Sequence, residues 1–252
     1  MSLLLDPLLL VLVALTFLVA GTVKGVIGMG MPTVSLALLT ATVGLPSAMA
    51  LLLAPTIITN IWQALVGGQL RQILRRLWLF LLASTVTVWL GVSVLARVDV
   101  RWLSALLGLL IVYYALSGLF RLGGGAIMRH GRHAGAVNGA LTGLITGMTG
   151  SSVFPGVAYL QALGLPRDML VQAMGVLFVV TTAALGFSMG EQRLLTVELA
   201  LLSLMAVVPA LLGMQLGQRL RHRLSEAAFR RVFLTGLLVM GGYLLLRALL
   251  SG

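Results

Sequence analysis

Residues 20–32 read Ala20-Gly21-Thr22-Val23-Lys24-Gly25-Val26-Ile27-Gly28-Met29-Gly30-Met31-Pro32. They lie inside an apolar run, residues 8–43, that is too long for one membrane helix of about 20 residues. Glycine loosens the backbone and proline removes an N–H donor, so the run is expected to break at Gly28-Met29-Gly30-Met31-Pro32. Lipid cannot satisfy the backbone groups such a break releases. It is tolerated only where protein or a polar cavity surrounds it.

The rest of the chain supports a membrane setting. Of 252 residues 60% are hydrophobic, mean hydropathy is +1.10, and 9% are charged, against about 25% in soluble domains. A water-soluble domain and a disordered chain are both excluded. The absence of cysteine removes disulfides, thiol nucleophiles and cysteine metal sites. The net charge of +11 sits in short gaps between apolar stretches rather than along one face interleaved with aromatics, which argues against a nucleic-acid groove. The start carries Asp6 and no basic residue, so it is read as retained membrane sequence rather than a cleaved signal peptide.

Six stretches qualify as membrane helices, at roughly 46–67, 77–96, 101–121, 168–190, 197–218 and 229–249. A second interrupted region, 134–163, breaks at Gly147-Met148-Thr149-Gly150-Ser151-Ser152, with Pro155 just after. The two halves resemble copies. Gly44-Leu45-Pro46 with Met49 reappears as Gly164-Leu165-Pro166 with Met169, and at the same offset Gly30 falls on Gly150. Gly21 and Gly25 match Gly139 and Gly143 if two residues are inserted, and Gly108-Leu109-Leu110-Ile111 echoes Gly236-Leu237-Leu238-Val239. The expected organisation is a first membrane repeat over 1–121, a cytoplasmic loop over 122–133 and a second repeat over 134–252.

Loop charge sets the topology. Arg71, Arg75 and Arg76 fill 68–76; Arg121, Arg129 and Arg132, with His130 and His133, fill 121–133. Arg219, Arg221, Arg223, Arg230 and Arg231, with His222 among them, fill 219–231. Basic loops stay in the cytoplasm. Each broken region must then cross an even number of times, so each is read as a hairpin entering and leaving by one face. Two thin crossings have the same parity. A hairpin plus three full helices makes an odd count, and the two repeats are expected to be inverted. The fold class is therefore all-α, a polytopic membrane helical bundle of two inverted repeats.

Paired Gly/Pro breaks in inverted repeats point to a transporter's central site. A helix beginning in mid-membrane offers unpaired N–H groups and the positive end of its dipole to an anion. The first such start is expected near Pro32, and the second near Ser151 or Ser152, both good N-cap residues. An anion is expected between them. Gly28, Met29, Gly30, Met31, Thr149, Gly150, Ser151 and Ser152 are assigned to this site, with Pro32, Gly147 and Pro155 as the structural breaks. Gly21, Gly25, Gly139 and Gly143 are read instead as helix-packing positions.

Lys24 is the only lysine in the chain, four residues before the first break, with no acidic residue at comparable depth. It is read as the positive charge of the site, the alternative being a tilted leg from which it snorkels to headgroups. Asn60 and Gln63 share a helical face with Thr56 and Thr59; Gln172, Thr181 and Thr182 lie on a second helix, and Asn138, Thr142 and Thr146 line the second broken region. Each can bridge helices or touch substrate; Asn60, Gln63 and Gln172 are assigned to the site, with Asn60 and Gln63 joining Ser151 and Ser152 in selecting among anions. General acid–base pairs, metal motifs and phosphate loops are missing, so no catalytic residue, metal or cofactor is expected.

Two halves, each opening with a glycine-punctuated segment and a Gly-Leu-Pro turn, resemble the TauE/SafE family, the sulfite exporters also called toluene-sulfonate uptake permeases. Met29 and Met31 stand where that family commonly has a denser glycine run, and Ser151-Ser152 also departs from it. The resemblance implies a transporter in the bacterial inner membrane moving sulfite, an organosulfonate or a carboxylate by alternating access, as an exporter or in the uptake direction. The partners it implies are a small anionic substrate and membrane lipid, with a homodimer as the assembly and no nucleic acid. A non-transporting membrane scaffold is the reading from outside transport.

Overall fold

The computed structural model describes residues 6–120, 133–221 and 225–250. The loop expected at 121–133 lies outside the described residues apart from His133, as do Met1 to Leu5, His222 and Arg223.

The protein is an all-α membrane protein. In chain order its helices are α1 (Pro7–Ile27), α2 (Met31–Val43), α3 (Leu45–Leu51), α4 (Leu53–Leu65), α5 (Leu70–Leu95) and α6 (Val100–Phe120). After the undescribed loop come α7 (Ala134–Thr149), a π-helical turn (Val153–Val157), α8 (Ala158–Ala162), α9 (Arg167–Glu191), α10 (Val197–Met205), α11 (Val207–Arg221) and α12 (Glu226–Leu250). Among the described residues six helical stretches are long and apolar enough to cross a membrane, or seven if α3 and α4 form one span. Large apolar side chains such as Leu15, Leu90, Val208 and Leu246 stand exposed along them, as a lipid-facing surface requires.

Two expected helices are not continuous. The span at 46–67 is broken at Leu52, and that at 197–218 at Ala206, each three residues before a proline (Pro55, Pro209). A proline ring clashes with the carbonyl four residues back and offers it no N–H, which frees the carbonyls of Leu51 and Met205. A buried serine staples the first break: Ser203 Oγ donates to the Leu51 carbonyl at 2.9 Å and accepts from the Ala54 N–H at 3.0 Å.

The described chain forms two compact units that do not follow sequence order. Unit 1 comprises Met1–Pro55, Asp99–Leu122 and Arg193–Gly252; unit 2 comprises Thr56–Val98 and Gly123–Gln192. In unit 1, α1 packs on α11 and α6 on α12, while α2 follows α1 back and meets α3. Asp6 starts α1 by accepting from the N–H groups of Leu8 (3.0 Å) and Leu9 (3.3 Å), with Pro7 as the first helical residue. In unit 2, α5 packs along α7 and against α9.

Helices in lipid gain little from apolar burial and associate through close van der Waals contact at small residues. Both main pairs do this. A Cβ placed on Gly21 would lie 2.2 Å from the Ala210 carbonyl oxygen, and one on Gly25 would lie 2.3 Å from that of Met214. On α7, a Cβ on Gly143 would come within 2.0 Å of the Ser84 oxygen and one on Gly147 within 2.3 Å of that of Val88. The packing role expected for Gly21, Gly25, Gly139 and Gly143 is therefore what they perform, and Gly147 joins them.

Candidate functional site

In unit 1, α1 stops at Gly28, whose φ of 88° is left-handed and whose N–H closes on the Lys24 carbonyl at 2.7 Å. Only glycine holds such a φ without cost, so the stop is written into the sequence. Gly30 is also left-handed (φ 100°) and precedes α2, whose first residues are Met31 and Pro32. The expected helix start at Pro32 is observed within one residue. The N–H groups of Met29 and Gly30 find no acceptor among the described residues. Tyr114 orients the Met29 side chain, its hydroxyl donating to Sδ at 3.5 Å.

Lys24 occupies the last turn of α1 and is only 5% exposed. One helical turn beyond the break, Thr33 is 2% exposed and its hydroxyl has no hydrogen-bond partner. Sequence reading passed over Thr33; the signal available was a hydroxyl three residues past Gly30. Along the chain the break thus has buried Lys24 one turn before it, two N–H groups without acceptors among the described residues at it, and the buried Thr33 hydroxyl one turn after it. The chemistry these groups share is attraction of an anion.

Unit 2 carries the other break. Gly150 ends α7 in the same manner, with φ 76° and its N–H on the Thr146 carbonyl at 2.7 Å. Beyond Gly150 the chain departs from expectation. Ser151 and Ser152 do not cap a regular helix: the Ser152 side chain makes no capping bond, and the chain enters the π-helical turn containing Pro155 before the five residues of α8. Ser152 Oγ instead meets Thr146 Oγ1 at 2.9 Å and Thr181 Oγ1 at 3.1 Å. Thr146 also donates to the Thr142 carbonyl (2.7 Å) and Thr181 to that of Leu177 (2.8 Å). With those two protons spent, Ser152 has one proton for two neighbours, so its hydroxyl is a joint of the cluster rather than a spare donor. Thr149 Oγ1 donates to the Ile145 carbonyl at 2.7 Å and accepts from the Ser151 N–H at 3.3 Å. The Ser152 N–H has no acceptor among the described residues.

The two helix ends are built alike. Gly28 pairs with Gly150 as the left-handed stop, and Lys24 with Thr146 as the carbonyl it closes on. Gly25 meets Gly217 with its Cβ position 2.9 Å from the latter's Cα, as Gly147 meets Gly91 at 2.7 Å. Four residues before its stop, α7 carries the buried Thr146, where α1 carries Lys24.

Three further candidates lie on the seam of α4 and α9. Gln63 Nε2 donates to the Val171 carbonyl at 2.8 Å, and Gln172 Nε2 donates to that of Ala64 at 2.9 Å. Gln172 Oε1 also accepts the Gln69 N–H at 3.1 Å. Asn60 is 1% exposed and turns Nδ2 back to the Thr56 carbonyl at 2.8 Å. Of the two roles open to them, Gln63 and Gln172 perform helix bridging.

A family model described as Sulfite exporter TauE/SafE matches residues 13–244, nearly the whole chain. No curated protein and no solved structure matches it.

Proposed function

The chain belongs to the sulfite exporter TauE/SafE family, and on that premise we propose that it carries a sulfite-type or organosulfonate anion outward by alternating access. Family membership makes it a membrane transporter of the small-anion class. The observation that carries the finer reading is the break in unit 1, where buried Lys24 lies one turn before Met29 and Gly30 and the unpartnered Thr33 hydroxyl one turn after. A cation placed inside the membrane attracts negative charge, and a small anion bound beside it supplies that charge.

The roles follow from the local chemistry. Lys24 supplies charge. Backbone N–H groups of Met29 and Gly30 supply donors matched to oxyanion oxygens; at the break in unit 2 the N–H without an acceptor among the described residues is that of Ser152. Thr33 and Ser151 add hydroxyls that discriminate among anions. Gln63 and Gln172 hold α4 against α9, and Asn60 beside them adds an amide that selects among anions. The basic segments 68–76, 121–133 and 219–231 face the cytoplasm, and the two repeats run inverted through the membrane. Outward movement of a monoanion is then driven by the inside-negative potential, worth about 2.3 kcal/mol per charge per 100 mV.

The test is thermal unfolding of the detergent-purified protein against sulfite, sulfate, thiosulfate, sulfoacetate, taurine and small carboxylates, with Lys24→Ala alongside. A ligand at 100 times its Kd stabilises the folded state by about 2.7 kcal/mol. Stabilisation by one sulfur oxyanion that disappears in Lys24→Ala supports the proposal. A response confined to carboxylates names another anion, and a flat response in folded protein removes the proposal.

A further inference from the structure

A second cluster of cationic groups lies away from both breaks, wholly within unit 1. A pocket of about 180 Å³ opens at the start of α6, the end of α12 and the turn between α2 and α3. Its walls include Thr40, Gly44, Arg101, Ser104 and Arg247. For scale, a water takes about 30 Å³ of liquid. Two of its polar atoms are buried with no hydrogen-bond partner: Thr40 Oγ1, in a residue 6% exposed, and Arg101 Nε. Ser104 spends its proton on the Val100 carbonyl at 2.8 Å, and the Arg247 guanidinium gives one N–H to the Ala41 carbonyl. A guanidinium has five N–H donors; Arg247 is exposed, so its others face solvent and are open to a ligand, while Arg101 Nε is buried without a partner.

Buried polar atoms are nearly always hydrogen-bonded, and leaving one unmatched costs about 1–3 kcal/mol. Two guanidinium groups lining one small pocket also repel each other. Both costs vanish when an oxyanion enters, because guanidinium forks match planar pairs of phosphate oxygens. The location favours such a ligand. Arg247 sits at the end of α12 opposite the one that carries Arg230 and Arg231, and Arg101, in the first turn of α6, stacks over Trp102, 4.8 Å from its ring centre. Trp102 is 54% exposed, as an interfacial anchor is.

We propose that Arg101, Arg247 and Thr40 form a binding site for a phosphate-type oxyanion, separate from the transport site, filled by an anionic lipid headgroup or by free phosphate. The test uses the full chain in neutral detergent and reads thermal unfolding. One arm adds phosphatidylglycerol, with phosphatidylcholine as control; the other adds inorganic phosphate, with chloride at equal ionic strength as control. The expected result is stabilisation in one arm, which names the source. Apparent affinity should fall at least about tenfold in Arg101→Gln and in Arg247→Gln, in keeping with loss of charge-assisted bonds. Lys24→Ala should keep the response, which separates this site from the transport reading. If Arg247→Gln loses its fold along with its bond to Ala41, Arg101→Lys and Thr40→Val carry the test: the first keeps charge but not the fork, the second removes only the hydroxyl. No stabilisation in either arm, or a wild-type response in Arg101→Gln and Thr40→Val, overturns the proposal.

Discussion

Gln63 and Gln172 bond in opposite directions across one helix pair, each side-chain amide donating to a backbone carbonyl beside the other residue (Val171 at 2.8 Å, Ala64 at 2.9 Å). The reach works because Gly175 brings α9 so close that a Cβ there would lie 2.7 Å from the Ala64 nitrogen. Gln172 additionally holds the Gln69 N–H at the entry to α5. Truncating Gln63 should therefore cost about 1 kcal/mol and truncating Gln172 about 2 kcal/mol, since hydrogen bonds within membranes are individually modest. Reversible unfolding of Gln63→Ala and Gln172→Ala in mixed micelles measures both. Equal losses would contradict the extra bond.

Close approach makes a second prediction. Gly21→Ala and Gly143→Ala each force a methyl to about 2 Å from a backbone oxygen, those of Ala210 and Ser84. Such overpacking typically costs 1–3 kcal/mol. Gly236→Ala, where a Cβ meets open space, is the neutral comparison. Melting temperatures of the three variants decide it; a Gly21→Ala as stable as Gly236→Ala would remove the small-residue account of the α1–α11 contact.

Lys24→Met keeps length and apolar reach while deleting the charge. Anion flux into proteoliposomes should then drop at least about tenfold while the protein stays folded. Flux at the wild-type rate in Lys24→Met would show that the charge is not part of transport.

Thr33→Val separates site from scaffold in the same way. The hydroxyl has no protein partner, so its loss should leave the melting point unchanged or raise it, at a relief of about 1 kcal/mol. Apparent anion affinity should fall several-fold, the trade of stability against function expected at a binding group. A lower melting point with unchanged affinity would assign Thr33 to the fold.

Much of this architecture was legible one residue at a time. The breaks at Gly28 and Gly150 could be read because left-handed backbone needs glycine, and the packing of Gly21, Gly25, Gly139 and Gly143 because lipid rewards small faces. The interruptions at Leu52 and Ala206 were also signalled, by Pro55 and Pro209, but are masked in any count of apolar residues. Thr33 and the Thr146–Ser152–Thr181 cluster escaped because a threonine in a membrane helix usually bonds its own backbone, as Thr142 and Thr149 do.

Sequence by itself determined the membrane class, five of the six expected spans and the two breaks, because each depends on local chemistry: hydropathy over about 20 residues, a missing N–H, a tolerated φ. It did not show that α1, expected as one leg of a hairpin, is itself long and apolar enough to cross. Tertiary structure alone decided partnership. The carbonyls that answer Gln63 and Gln172 lie 108 residues away along the chain, and Ser203 answers a break 152 residues before it. The pairing of Arg101 with Arg247 around Thr40 depended on which helix ends meet. Hydrogen bonds are short and directional, so their partners are set by packing, which no linear spacing encodes.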